Sequence, residues 1–369
     1  MNNFAFSTAH SIDAALAQRG ATASAVTGED PAFGMFIAGG TNLLDLMKED
    51  VVRPTQLVDL NRLDALKNIE RLPNGGLRLG ALARNAATAY HPLVREHYPL
   101  LSAAILAGAS PQIRNMASNG GNLLQRTRCV YFYDTAAPCN KRQPGSGCPA
   151  QSQLARQHAI LGASEHCIAV HPSDMCVALA ALGAEVKVQS PRGERAIAFA
   201  DFHRLPGDRP DQDTHLASDE LITHIVLPPA GPNGGYAAHS AYLKLRERAS
   251  YAFALVSVAA ALELDDSGTG SGEIATIRSA RIALGGVAHK PWRRTDAEDL
   301  LVGQPATPES FARAADKLLE GALAHGSGVG NNAFKIPMAR RAVVRALTLA
   351  TRGTVAHTGR SNGSAEASA

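Results

Sequence analysis

The sequence predicts a mixed fold, α/β in its first part and α+β beyond, and three observations carry the prediction. An apolar run at residues 35–38 enters a Gly39-Gly40 turn and leaves from Asn42 as a helix start, the strand–turn–helix passage of an α/β unit. The motif then returns: Gly39-Gly40-Thr41-Asn42-Leu43-Leu44 is echoed, one residue shorter, as Gly120-Gly121-Asn122-Leu123-Leu124. Beyond a Gly/Pro/Asn-rich boundary at 231–235, alternating and apolar strands come first and helical periodicity follows.

Taken in order, residues 4–6 read as a short strand, followed by a helix that Ser11 or Asp13 caps. After the first glycine turn, residues 56–60 and 77–82 read as strands, and residues 92–97 and 100–108 as helices. Residues 158–162 and 166–171 are expected to be short strands. His171-Pro-Ser-Asp174 leads into a helix, with Ser173 or Asp174 as its N-cap. Strands are expected at 184–189 and 220–227. Tyr242, Lys244 and Arg246 alternate with Leu243 and Leu245, which places the polar three on one strand face and the leucines on the other. Residues 250–264 and 280–287 are expected as long apolar strands, with a turn over 265–272. Helical periodicity covers 296–325 and 337–351, and the small, polar tail after Arg352 is expected to be disordered.

With 369 residues, 45% of them apolar and 19% charged, the chain has the composition of a soluble protein with two or three domains. A net charge of +3, from 36 basic and 33 acidic residues, is too small to argue for nucleic acid or an anionic membrane surface. No apolar run approaches the roughly 20 residues of a membrane helix. The N-terminal stretch has no basic region leading into an apolar core, so no export signal is expected in the chain itself.

Chemistry concentrates between Arg114 and Cys148. Diglycine turns let backbone N–H groups approach an anion closely, and a helix start after such a turn favours a pyrophosphate. Neither loop matches the dinucleotide fingerprint or the P-loop, and a plain tight turn satisfies either one alone. All five cysteines lie between positions 129 and 176, which reads as one local role and not as a secreted disulfide framework. Thiolates there would hold a soft metal or an iron–sulfur cluster.

Five motifs then fall in one order: Phe36-Ile-Ala-Gly-Gly-Thr-Asn-Leu43, Arg114-Asn-x-x-x-x-Gly-Gly-Asn122, Ser173-Asp174, Tyr242-x-Lys-x-Arg246 and Gly285-Gly-Val-Ala-His-Lys-Pro291. In this the chain resembles the FAD-binding medium subunit of molybdenum hydroxylases, the xanthine dehydrogenase and carbon monoxide dehydrogenase family. The resemblance spans about residues 4–350. It implies an FAD-binding domain of the vanillyl-alcohol-oxidase-like (PCMH) type, made of two α/β subdomains, over 1–230. A C-terminal antiparallel sheet with helices, like the CO dehydrogenase flavoprotein C-terminal domain, would cover 236–351. An iron–sulfur insert is expected at about 123–168, because 50 residues separate Asn122 from Ser173 where most members have a short connection. That insert looks most like the one in the medium subunit of periplasmic aldehyde oxidoreductases, which carries a 4Fe-4S cluster beside FAD. A similar insert occurs in 4-hydroxybenzoyl-CoA reductase.

Carried over residue by residue, the resemblance puts FAD on Met35, Phe36, Ile37, Ala38, Gly39, Gly40, Thr41, Asn42 and Leu43. Ser118, Gly120, Gly121 and Asn122 would close over the pyrophosphate from the other side. Asp174 would face the ribose or adenine, Lys244 the flavin or its phosphates, and Ile222 completes the set. For Lys244 and Arg246 the competing reading is a solvated strand face. Cluster ligands are expected at Cys129, Cys139 and Cys148, in turn-prone sequence. The fourth is Cys167 or Cys176; Cys176 falls in a helical run where a small apolar role is the commoner use, so Cys167 is preferred. The spacing Cys129-x9-Cys139-x8-Cys148-x18-Cys167 matches neither short ferredoxin runs nor paired zinc motifs, which leaves zinc the weaker reading. Arg126, Arg128, Lys141 and Arg142 flank these ligands, either to raise the cluster's potential or as a docking patch for an acidic partner.

The implied function is relay. A large molybdenum-cofactor subunit would oxidise an aldehyde, and a small 2Fe-2S subunit would deliver its electrons here. They would pass through FAD and the cluster to an external acceptor such as ferredoxin or a quinone, with no catalytic residue in this chain. Co-export with a partner would place the protein in the periplasm; otherwise it stays in the cytoplasm. Two rivals are a reductase subunit of the 4-hydroxybenzoyl-CoA type and a metal-binding redox sensor.

Overall fold

Backbone pairing sorts the strands into three sheets in the computed structural model, which describes residues 3–23, 34–265 and 274–354. The expected turn over 265–272, past its first residue, lies outside those residues, as does the tail from 355. β1 (Ala5–Thr8), β2 (Gly34–Ile37) and β3 (Gln56–Asp59) pair in parallel in the order β1–β3–β2. Parallel neighbours need crossovers. The helices Ile12–Ala23 and Leu43–Lys48 lie between successive strands, and Ser11 Oγ accepts from Ala14 N at 3.1 Å, as the capping pattern predicts.

β4 (Ile69–Arg71), β5 (Leu77–Gly80), β6 (Glu185–Ser190), β7 (Gly193–Ala198) and β8 (Leu221–Leu227) form an antiparallel sheet in the order β4–β5–β8–β6–β7. Helices Pro99–Ala107 and Asp174–Leu182 share one core with it, built on Leu79, Leu101, Leu179, Val186 and Ile225.

β9 (Ser240–Leu245), β10 (Val256–Leu264), β11 (Ile277–Gly285) and β12 (Trp292–Arg293) run antiparallel in the order β12–β11–β10–β9. β10 reads apolar throughout because both its faces are covered. Val258, Ala260 and Leu262 pack with the helices Pro308–Leu318 and Lys335–Thr351, while Ala259 and Ala261 join the core around helix Asp174–Leu182. Alanines on that second face let the helix, with its own Ala178 and Ala181, come close.

Four expectations fail for identifiable reasons. Residues 158–162 and 166–171 are not strands: the N–H groups of Ile160 and Leu161 both go to Val287 O and that of His171 to Ala288 O, an irregular seam against the C-terminal sheet. The strand expected from 250 begins only at Val256, because Tyr251 adopts a left-handed φ of 51° that no strand accommodates. The helical stretch 296–325 splits into Thr295–Asp299 and Pro308–Leu318, interrupted by Gly303 at φ 73° and by Pro305. No helix among the described residues is long and apolar enough to cross a membrane.

Candidate functional site

A cleft of about 1340 Å³ runs between the first glycine turn, the second glycine turn and the C-terminal sheet. That exceeds the roughly 300–1,000 Å³ of ordinary small-molecule pockets, so it suits an extended ligand. One wall is the end of β2 and the turn after it, Met35 through Leu43. Among the described residues no hydrogen bond engages the backbone N–H groups of Gly39 through Leu43; the first bonded amide of the following helix is Leu44 N, 3.0 Å from Gly40 O. Asn42 adds a buried side-chain amide, Nδ2, that has no partner, while its Oδ1 accepts from Arg126 N at 2.9 Å. Unpaired donors facing one cleft await an anionic acceptor.

The second turn is different. Gly121 N bonds Ser118 Oγ (3.3 Å), Gly120 N bonds Ala81 O (2.7 Å), Asn119 N bonds Ala83 O (3.0 Å) and Asn122 N bonds Ser118 O (2.9 Å). The Asn122 side chain is held by Asn85 and Ser173. Ser118, Gly121 and Asn122 line the cleft as a rigid wall, and the expected grip of a pyrophosphate from two sides reduces to backbone donors on one. Gly120 and Ile222 are not brought to the cleft: Gly120 packs on Ala81, and Ile222 is buried in the core beneath the five-stranded sheet. The two turns are tied together by residues whose role the sequence hid. Asn61 Nδ2 donates to Ala38 O (2.9 Å), and Arg84 bridges Asn61 Oδ1 (2.9 Å) and Met116 O (2.6 Å).

Asp174 and Lys244 line the floor of this cleft as a pair. Lys244 Nζ lies 2.7 Å from Asp174 Oδ2 and 3.2 Å from Ala107 O, while Tyr242 Oη donates to Asp174 Oδ1 at 2.6 Å. Both carboxylate oxygens are therefore taken, and the strand face carrying Tyr242, Lys244 and Arg246 is an internal polar network instead of a solvated surface.

Beside the cleft, Cys129, Cys139, Cys148 and Cys167 line one small cavity, and none is in a disulfide. Cys176 is elsewhere, fully buried in the helix that Ser173 Oγ caps through Cys176 N (3.0 Å). Burial pushes the Cys129 thiol up to about 12 and Cys167 up to about 11. Backbone N–H groups counter that cost by pointing at sulfur: Phe132 and Tyr131 at Cys129, Ile168, Gln151 and Ala150 at Cys148, and Ala169 at Cys167. A single zinc ion, with Zn–S near 2.3 Å, draws its sulfurs to within about 4 Å of one another. Among the described residues only His171, Cys176 and His203 have three donor atoms within 4.8 Å of each other, so the four thiols stand too far apart for that. Four thiols spread around one void, three of them served by amide donors, suit a polynuclear iron–sulfur cluster.

The flanking cations prove to be struts. Lys141 is buried with Nζ on Pro210 O (2.6 Å) and Asp213, Arg126 reaches Asp213 Oδ2 (2.7 Å), and Arg142 donates to the carbonyls of Tyr131 (2.9 Å) and Phe132 (2.8 Å). Arg128 pairs with Asp45 at 3.2 Å. Burial alone would raise Asp213, but Lys141 and Arg126 more than offset it and hold its carboxyl below the usual range. These side chains form no free docking patch.

His171, Cys176 and His203 look like a metal trio, yet His171 Nε2 (3.3 Å) and His203 Nε2 (2.9 Å) both donate to Leu123 O, anchoring the helix that carries the second glycine turn. Burial lowers His203 to about 4 and His171 well below its ordinary value of 6.5. Above pH 6.5 neither folded nor unfolded chain protonates them; between there and about pH 4 only the unfolded chain takes up protons, so acid favours unfolding. His203 alone is expected to remove on the order of 3 kcal/mol of stability over that window. Urea titrations at stepped pH check this, and a flat profile between neutral pH and pH 5 would refute the buried neutral histidines.

The comparisons with known proteins agree with this architecture. Residues 3–230 match the model described as "FAD binding domain in molybdopterin dehydrogenase", and residues 240–350 match "CO dehydrogenase flavoprotein C-terminal domain". The chain belongs to the FAD-binding medium subunits of molybdenum hydroxylases. Among its relatives in that family, the aldehyde oxidoreductase FAD-binding subunit PaoB of Escherichia coli is 50% identical over 313 residues, 85% of this chain and 90% of that one. The glyceraldehyde dehydrogenase medium chain of Sulfolobus acidocaldarius is 26% identical over 85% of this chain and 87% of that one. In fold, the chain is similar to a chain of reconstituted CO dehydrogenase from Oligotropha carboxidovorans, with TM-score 0.70, 23% identity, and 96% and 99% of the two chains covered. Medium subunits of this family are oxidoreductase components that bind FAD, and the free donors of Gly39–Leu43 together with the Asn42 amide suit its pyrophosphate.

Proposed function

We propose that this chain is the electron-transfer subunit of a molybdenum-dependent aldehyde oxidoreductase, holding FAD in the large cleft and a 4Fe-4S cluster on Cys129, Cys139, Cys148 and Cys167. The observation that carries the reading is the convergence of those four thiols on one cavity beside the cleft. The 50% identity to an aldehyde oxidoreductase FAD-binding subunit supplies the substrate class. The division of labour proposed with it is an FAD-binding unit over 1–230, the cysteine insert within it, and a C-terminal unit over 236–351.

In this reading the backbone of Gly39–Leu43 and the Asn42 amide hold the pyrophosphate, and the Asp174–Lys244 pair shapes the floor. When bound, FAD supplies exchange in steps of one or two electrons and the cluster exchange of single electrons. The chain's own residues bind, orient and exclude water, and no substrate bond is broken on them. A large molybdenum-cofactor subunit and a small 2Fe-2S subunit are the proposed partners, with ferredoxin, a quinone or a similar acceptor outside the complex. The test is copurification of the chain with its partner subunits, followed by absorbance and metal analysis. Flavin bands over a broad iron–sulfur shoulder, with aldehyde oxidation only in the assembled complex, is the expected result. A colourless, zinc-loaded chain, or aldehyde oxidation by the isolated chain, would overturn the assignment.

A further inference from the structure

His158 Nε2 stands 3.0 Å from Cys129 Sγ. A metal-bound thiolate has no proton to offer, so this contact requires the hydrogen on Nε2. Nδ1 is then a bare acceptor, and it is buried without a partner. The histidine is set in place through its main chain instead. Lys335 Nζ (2.7 Å) and Asn332 Nδ2 (3.3 Å), arriving from the C-terminal region, both donate to His158 O, and His158 N donates to Ala155 O (2.8 Å). Lys335 is wholly buried and also reaches Gly286 O.

The position of this contact gives it meaning. Cys129 and His158 line the cysteine cavity and also a second cavity of about 160 Å³, which shares Arg128, Gln157, Ser173 and Asp174 with the FAD cleft. Of the four cysteines, only Cys129 lines that passage. It is the sulfur on the side of the cleft.

We propose that His158 is a positioning residue for the cluster, donating Nε2–H to Cys129 Sγ and thereby setting the reduction potential at the sulfur that faces the FAD cleft. The inference rests on the reading that the four cysteines hold a 4Fe-4S cluster. A donor on a ligating sulfur draws electron density from it, which favours the more negative, reduced state and raises the potential. Because Lys335 and Asn332 hold the backbone carbonyl, the side chain can be exchanged without releasing the segment.

The experiment is an EPR-monitored redox titration, with iron analysis, of the full chain in its assembled complex: wild type, His158→Leu and His158→Gln. Wild-type iron content in both variants, a midpoint shifted negative in His158→Leu and returned most of the way in His158→Gln, supports the proposal. Unchanged midpoints overturn it, as does loss of iron from His158→Leu, which would make the histidine a ligand or a structural prop. Nitrogen couplings in wild-type protein labelled with ¹⁵N-histidine give an answer that needs no variant. A weak coupling with an exchangeable proton supports the hydrogen bond, whereas a strong coupling typical of direct ligation, or none, refutes it. Wild-type protein without iron would remove the underlying cluster reading before any variant is compared.

Discussion

Gly39→Ala is expected to yield a folded protein that purifies without FAD. A Cβ on Gly39 would sit 2.0 Å from Met116 O and 2.7 Å from Met116 C, where carbon and oxygen need about 3.3 Å. Those are backbone atoms, which cannot rotate aside. The two glycine turns would have to part by more than about 1 Å, pulling on the Asn61–Arg84 link and displacing the one of the two whose N–H donors are free. Misplacing that set of donors costs roughly 3 kcal/mol, a loss of FAD affinity on the order of 100-fold. The measurement is flavin released by acid per mole of protein, with circular dichroism to confirm folding. Gly75→Ala is the control: Gly75 sits in a turn with only Pro229 nearby and does not line the cleft, so an added methyl group there, even at a φ of 85°, leaves the flavin site untouched. Full flavin content in Gly39→Ala, or equal losses in both variants, would contradict the assignment of the cradle.

Cys148→Ser is expected to lose its iron and keep its FAD. Serine is a poor ligand to iron, and three thiols leave one iron of the cube without a protein ligand. Iron is expected to fall from about four atoms per chain to a small remainder. Flavin should stay, because the donors of Gly39–Leu43 belong to the β2–helix passage and the cysteines to a separate insert. Cys176→Ser makes the matched comparison: it removes a thiol that lies outside the cysteine cavity, so iron should be retained. Retained iron in Cys148→Ser would dismiss the ligand set. Joint loss of iron and flavin would mean that insert and cleft fold as one unit.

Much of the site was legible in the chain because its signals are local. A diglycine between an apolar run and a helix start is a turn in almost any context, and β2, the Leu43–Lys48 helix and the Ser173-capped helix all form where short-range pattern puts them. The alternation Tyr242–Leu243–Lys244–Leu245–Arg246 likewise puts the leucines in the core around the C-terminal helices and the polar three on the other face. Failures arose where a strand-like or helix-like pattern met a competitor further off. Residues 158–171 have strand composition, but their amides find Val287 O and Ala288 O, so they dock as an irregular seam.

The same competition decided the chemistry. By itself the sequence determined where the turns fall, that every cysteine lies in one short stretch, and that Cys176 sits in a helix, since each depends on backbone preferences over a few residues. Only the tertiary structure decided that the second turn's N–H groups are already taken, that Arg126 and Lys141 close on Asp213, and that His158 meets Cys129 while Lys335, 177 positions away, holds its carbonyl. Donors and acceptors choose among whatever groups packing brings within about 3 Å. A chain written in one dimension does not say which those are.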